Sequence, residues 1–214
     1  INGKSLIYLD SANSSQKPKV VIDKISNFYE TEFSNVGRSV HTLAVKATNR
    51  FEATRDKIQK YLNAKHREEI IFTKGATEAI NLVASSYGKK YIKEGDEVLI
   101  TELEHHSNYV PWNYLRTDKG AIIKFAQVNE NGDVEIEEIK KLITNKTKII
   151  AITHISNVTG AILPITKIVD LAKEKNIPVL IDGTQGAPHS EIDMQKIGCD
   201  FYAISCHKMY GPNG

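Results

Sequence analysis

Short apolar runs, most of them ending in a polar turn, recur along this 214-residue chain with helix-patterned stretches between them. The strand-like runs are residues 69–72, 97–101, 122–125, 148–153, 178–181 and 201–204. The helical patterns between them cover 76–91, 108–115, 136–143 and 165–175, the last introduced by Pro164. Strands alternating with helices of about three turns predict crossover units and a mostly parallel sheet flanked by helices, an α/β fold. The continuous β-branched runs Ile149-Ile150-Ala151-Ile152 and Val179-Leu180-Ile181 fit strands covered on both faces. Ahead of this region, two helices are expected without strands. One is opened by Pro18, with Val20, Val21, Ile25 and Phe28 at helical spacing. The other covers about 43–62, with Leu43, Ala47, Phe51, Ile58 and Leu62 as its apolar face.

Composition removes several classes. Lys+Arg number 28 and Asp+Glu 26, a net charge of +2, too balanced for a protein that depends on neutralising nucleic-acid phosphates. The longest uncharged apolar runs, 149–152 and 178–181, are far below the ~20 residues of a membrane helix. Cys199 and Cys206 offer no disulfide framework, and no secretory core follows Ile1. The sequons at Asn13, Asn145 and Asn157 then read as chance. The expected setting is a reducing, cytoplasmic one. There is no initiator Met, and Gly211-Pro212-Asn213-Gly214 is turn chemistry, so the length is read as that of a part.

In parallel sheets ligands bind beyond the carboxyl ends of the strands. Five such turns here are polar: Thr73-Lys74-Gly75-Ala76-Thr77-Glu78, Thr101-Glu102-Leu103-Glu104-His105-His106, Thr153-His154-Ile155-Ser156-Asn157, Asp182-Gly183-Thr184-Gln185 and Ser205-Cys206-His207-Lys208. Lys208, just past an apolar strand, can form a Schiff base with a carbonyl cofactor when its amine is neutral. Asp182, 26 residues earlier, is either a helix cap or the carboxylate that keeps a pyridinium nitrogen protonated. Gln185 is in reach of the same ring. Gly75-Ala76-Thr77 opens a helix after a strand, which is a phosphate site or merely a capped helix. Ser205 and His207 can add phosphate contacts. His105-His106 is a helix-start pair, or an imidazole stacked on a flat ring. Metal is not expected, since no His-Glu-x-x-His or Cys-x-x-Cys is present. Asn157 can hold a substrate carboxylate or the cofactor's phenolic oxygen. Cys206 reads as a small packing residue rather than a nucleophile.

Together these segments carry a family resemblance. The 73–84 stretch, Glu104-His105-His106-Ser107-Asn108-Tyr109-Val110-Pro111-Trp112, Thr153-His154-Ile155-Ser156-Asn157-Val158-Thr159-Gly160, Asp182-Gly183-Thr184-Gln185-Gly186 and Ser205-Cys206-His207-Lys208-Met209-Tyr210-Gly211-Pro212 resemble the class V aminotransferase-like, pyridoxal phosphate (PLP)-dependent cysteine desulfurases. Leu9-Asp10-Ser11-Ala12, Gln16-Lys17-Pro18, Arg38-Ser39-Val40-His41-Thr42-Leu43 and the double His before Pro111-Trp112 are similar to the SUF-type branch. The resemblance implies the large domain of a fold-type I PLP enzyme, with a seven-stranded type of sheet and a homodimer. An N-terminal segment, 1–45, would contribute to the active-site entrance. Residues 46–214 would form a PLP-binding domain whose C-terminal companion is absent.

The resemblance also implies roles. Lys208 would carry PLP and move protons, and His105 would stack on the ring as its catalytic companion. Asp182 would pair with the ring nitrogen and Gln185 with the phenolic oxygen. Ala76, Thr77, Ser205 and His207 would hold the phosphate, and Asn157 and Ala12 would meet the substrate. L-cysteine would become L-alanine. A protein cysteine would take the sulfur as a persulfide and pass it to an acceptor protein for iron–sulfur cluster assembly. Cys206 and Gly37 depart from the family's usual residues. The family's persulfide cysteine and substrate arginine lie beyond position 214, and neither Cys199 nor Cys206 matches that cysteine. Selenocysteine lyase, another class V aminotransferase, and a fragment without activity by itself are the alternatives.

Overall fold

The computed structural model describes residues 1–213. They divide into two compact units. One comprises Ile1–Phe72 together with the segment from Cys206 onward, and the other is Thr73–Ser205.

The first unit is built on α1 (Lys19–Thr31) and α2 (Thr42–Tyr61). His41 caps α2, its Nδ1 accepting the Ala44 N–H at 3.3 Å. Of the face expected to be apolar, Ala47 and Leu62 are buried, Phe51 and Ile58 partly so, and Leu43 is exposed. None of the α1 side chains is buried. The expected boundary at 45/46 falls within α2. Residues 69–72 do not form a strand. Arg67–Glu69 is a single 3-10 turn, and the Ile71 and Phe72 side chains that follow are exposed. An apolar run alone does not make a strand when no neighbour offers a hydrogen-bonding edge.

The second unit opens with α3 (Ala76–Val83), which passes through a π turn at Ala84–Gly88 into α4 (Lys89–Tyr91). The sheet contains β1 (Glu97–Thr101), β2 (Ile122–Ala126), β3 (Thr147–Thr153), β4 (Val179–Asp182) and β5 (Phe201–Ala203). All neighbours are parallel, in the order β2-β1-β3-β4-β5. Among the described residues the sheet has five strands, where the resemblance implies seven. The crossovers are α5 (Val110–Lys119), α6 (Ile136–Leu142) and α7 (Ile165–Lys173). Two short helices, α8 (Gly186–His189) and α9 (Met194–Ile197), lie between β4 and β5 and carry too few residues to show a period in sequence.

Burial explains the pattern. β1 and β4 are buried at every position, as continuous apolar strands under helices on both faces should be. On α7, Ile165, Ile168, Val169 and Ala172 repeat at helical spacing and are all buried, each large side chain contributing about 1.5–3 kcal/mol. Ile80, Ile92, Val98, Ile100, Trp112, Ile149 and Leu180 form one core cluster. Gly120 ends α5 with a left-handed φ of 72°.

Candidate active site

Parallel pairing places the carboxyl ends of β1, β3, β4 and β5 on one edge. The order β2-β1-β3 makes the gap between β1 and β3 the point where the chain reverses its winding, which is where such sheets take ligands.

Asp182 closes β4 at 3% exposure. Its Oδ1 accepts the Thr184 N–H at 3.0 Å and the Thr184 hydroxyl at 2.5 Å. A buried carboxylate held this way is an oriented acceptor for a cationic ligand group. Gln185 is buried and partnered, at the position just before α8. The backing of this turn is tight. A Cβ on Gly183 would lie 2.0 Å from the Tyr202 ring, and one on Gly186 would lie 2.2 Å from His154 Nδ1. His154 Nδ1 and the Tyr202 hydroxyl are 2.8 Å apart. Burial lowers the His154 pKa. The Tyr202 pKa is raised by burial, reinforced by Cys199 and Asp182, so both stay neutral near pH 7.

Gly75 precedes α3 at φ 146°, where a side chain is strained, and its Cβ would lie 3.3 Å from Ser205 Oγ. Ser205 Oγ accepts the Ala76 N–H at 2.9 Å. The Ala76 N–H is thus satisfied within the protein, as a buried amide at a helix start must be. The Ser205 proton and the exposed Thr77 hydroxyl remain as donors, beside a first helical turn that supplies further N–H groups.

His105 is exposed after β1 and caps the one-turn helix His106–Asn108. Its Nδ1 accepts the Ser107 N–H at 3.2 Å, so the neutral ring carries its proton on Nε2. His105 and His106 are 6.0 Å apart and tilted by 55°, and they do not act as a pair of ligands. Among the described residues no group of three His, Cys, Asp or Glu could hold a metal ion. Glu104 precedes them with its carboxylate enclosed. Burial, with the charge of Asp182 adding to it, pushes its pKa up to about 7, although Thr101, Asn108 and Thr153 all donate to it. Asn157 is exposed in the turn after β3.

In the first unit, Lys208 ends the one-turn helix Cys206–Lys208, half-buried and partnered. The peptide oxygen before it, on His207, accepts the Ser15 N–H at 3.1 Å, the Ser15 hydroxyl at 3.0 Å and the Lys17 ammonium at 2.7 Å. Burial, then the Lys208 and Lys17 charges, lower the His207 pKa. Ala12 is exposed in the turn before this clamp. Cys206 is exposed, which corrects its reading as a packing residue, since the tight turn back to Gly211 leaves its thiol outside. Burial pushes the Cys199 thiol up to about 12, so it is no nucleophile.

Glu104, Thr184, Tyr202, Ser15 and Lys17 carry no role in the sequence reading. Glu104 had a signal, a carboxylate between a strand end and two histidines. Thr184 had one too, standing two residues after Asp182 where an aspartate side chain takes a local turn bond. Tyr202, Ser15 and Lys17 act through contacts that only the fold brings about.

A parallel α/β unit that gathers a buried carboxylate, a glycine-led helix start and a capped imidazole on one strand edge has the layout of a ligand-binding domain. The chain belongs to the class-V aminotransferase family, whose sequence profile matches residues 7–214. It is 49% identical over all of its length to a "probable cysteine desulfurase" of Halalkalibacterium halodurans, covering 53% of that protein. It is 44% identical to a cysteine desulfurase of Synechococcus elongatus, covering 34% of it. In structure, 97% of the chain matches the cysteine desulfurase CsdA of Escherichia coli at TM-score 0.88 and 38% identity, covering 52% of that chain. A cysteine desulfurase from Thermococcus onnurineus NA1 matches at TM-score 0.92 and 35% identity, with the same coverages. The chain thus spans about half or less of the length of these relatives, and its fold is that of these enzymes.

Proposed function

We propose that the full-length protein is a PLP-dependent cysteine desulfurase of the SUF type. The buried Asp182 carboxylate, oriented by Thr184 at the carboxyl end of β4, carries this reading, because a neutral ligand would not compensate the desolvation of that charge. The residues suit PLP. Asp182 answers a protonated ring nitrogen. The Thr77 and Ser205 hydroxyls at a glycine-led helix start answer a phosphate, and the exposed His105 ring offers a flat face. When bound, PLP supplies an electron sink for charge developing at the substrate Cα.

The chain's own residues do the rest. Lys208 holds the cofactor covalently and moves the proton at the substrate Cα. Gln185 donates to the phenolic oxygen, and His207, held neutral, adds a phosphate contact. His105, with its proton on Nε2, stacks on the ring and can exchange that proton with substrate. Asn157 and Ala12 line the substrate side. L-cysteine and a protein thiol give L-alanine and a persulfide: the C–S bond breaks, an S–S bond forms, and the thiol's proton balances the alanine methyl. The accepting thiol lies outside residues 1–214. A homodimer, a sulfur-acceptor protein, a role in iron–sulfur cluster assembly and a cytoplasmic location complete the reading. No helix among the described residues is long and apolar enough to cross a membrane.

The test is alanine release from L-cysteine by the full-length protein, with the visible absorption of its bound cofactor. Lys208→Ala should abolish both the release and the covalent cofactor band. A protein that stays colourless with added PLP sinks the reading. A coloured one that releases neither alanine nor sulfide points to an aminotransferase.

A further inference from the structure

Glu104 lies between β1 and His105, and its carboxylate ties three elements together. Oε1 accepts the Thr101 hydroxyl at 2.6 Å, from the end of β1, and the Thr153 backbone N–H at 2.9 Å, from the end of β3. Oε2 accepts Asn108 Nδ2 at 2.6 Å, from the turn that carries both histidines. The gap bridged is the one between β1 and β3, where the winding reverses.

None of the three donors can turn away. Thr101 Oγ1 accepts the Leu103 N–H at 3.1 Å, which leaves its own proton for Glu104. Asn108 Oδ1 accepts Nε1–H of the fully buried Trp112 at 3.0 Å, so its NH₂ end is aimed back at Glu104. The Thr153 donor is backbone. Above pH 7, where Glu104 is ionised, the position therefore calls for an acceptor at both oxygens. A glutamine would set its own NH₂ against Asn108 Nδ2, or against the Thr101 and Thr153 donors, and one of those buried donors would lose its partner.

His105 is the next residue, and its ring is exposed. The Ser107 cap fixes the ring relative to its own turn but not the turn relative to the sheet. Glu104 supplies that second restraint. We infer that Glu104 is a positioning residue, clamping the 101–108 turn to the ends of β1 and β3 so that the His105 imidazole is held where the flat cofactor ring binds. This rests on the PLP reading above.

The test is a double-mutant cycle on the full-length apoprotein, titrated with PLP and followed by visible absorption. Glu104→Gln should weaken PLP binding about tenfold, the loss expected for one unsatisfied buried donor. In a His105→Ala background the same change should cost less than twofold, because a clamp has nothing left to place. Equal losses in both backgrounds, or no loss in either, would overturn the inference. Where Glu104→Gln does not fold, Thr101→Val, which removes one donor, is read in the same cycle with the same two outcomes. A second readout needs no cofactor: the ¹⁵N signals of the His105 ring in the apoprotein should shift in Glu104→Gln, and unmoved signals overturn the clamp. A wild type that binds no PLP while His105 still responds would overturn the proposed function and support the clamp.

Discussion

The Lys17 ammonium donates to the His207 carbonyl oxygen at 2.7 Å, at the peptide immediately before Lys208. Ser15 adds its N–H and hydroxyl to the same oxygen, and its Oγ accepts the Tyr210 N–H at 2.9 Å. The segment on either side of Lys208 is thus pinned by two residues nearly two hundred positions earlier. Ser15 is 4% exposed, so Ser15→Ala removes hydrogen bonds that water cannot replace. We expect a loss of about 1–3 kcal/mol in urea unfolding. Lys17→Met keeps the stem but not the charge, and should slow the development of the PLP absorption band roughly tenfold, as expected for about 1.4 kcal/mol of lost positioning. Unchanged values in both variants would mean that this clamp is incidental to Lys208.

Asp182→Asn separates charge from shape. An asparagine Oδ1 can still accept both Thr184 donors, so the melting temperature should change little. Under the PLP reading, loss of a buried charge facing the ring cation costs about 3–5 kcal/mol, or roughly 10²–10⁴-fold in kcat. PLP itself should remain attached through Lys208, with its absorption retained. Alanine release at the wild-type rate would exclude Asp182 from the chemistry.

Much of this was legible before the structure. The alternation of apolar runs and helical patterns located five of the six predicted strands, and for the buried β3 and β4 the signal is an uninterrupted β-branched run, as burial on both faces requires. Residues 69–72 carry the same local signal yet stay unpaired, since pairing depends on a neighbour that periodicity does not report. Asp182, Gln185 and Ser205 stand out in sequence as polar residues at strand ends, and they are buried on the predicted edge. Asp182 is held by Thr184, two residues on, but sequence could not give the distant partners. The Ser205–Ala76 bond spans 129 positions and the Tyr202–His154 contact 48. Such pairings are set by topology rather than by local spacing.

The two glycines of the Asp182 turn make a prediction of their own. Gly186→Ala would drive a methyl to 2.2 Å from His154 Nδ1, and Gly183→Ala one to 2.0 Å from the Tyr202 ring. Neither neighbour is a flexible end, because the two rings hold each other at 2.8 Å. Overpacking of this kind costs about 1–3 kcal/mol or more. We expect both variants to melt several degrees lower and to weaken PLP binding, since the displaced turn carries Asp182 and Gln185. Gly186→Ala in a His154→Ala background should recover part of the loss. Failure to recover any of it would place the strain elsewhere.

The last prediction concerns pH. Burial and the nearby Asp182 charge push the Glu104 pKa up to about 7 from an ordinary 4.5. Between those values the folded apoprotein holds a proton on Glu104 that the unfolded chain has released. Stability therefore falls as pH rises through this window, and the loss is complete above pH 7. The full effect is on the order of 3 kcal/mol. Wild-type apoprotein should lose stability more steeply between pH 4.5 and 7 than Glu104→Gln, which carries no titrating group there. Asp182→Asn removes the charge that helps raise this pKa, so its window should close at a lower pH. The measurement is urea unfolding of the three apoproteins across pH 4 to 8. Parallel wild-type and Glu104→Gln profiles would show that the three donors to Glu104 outweigh its burial and keep it ionised throughout.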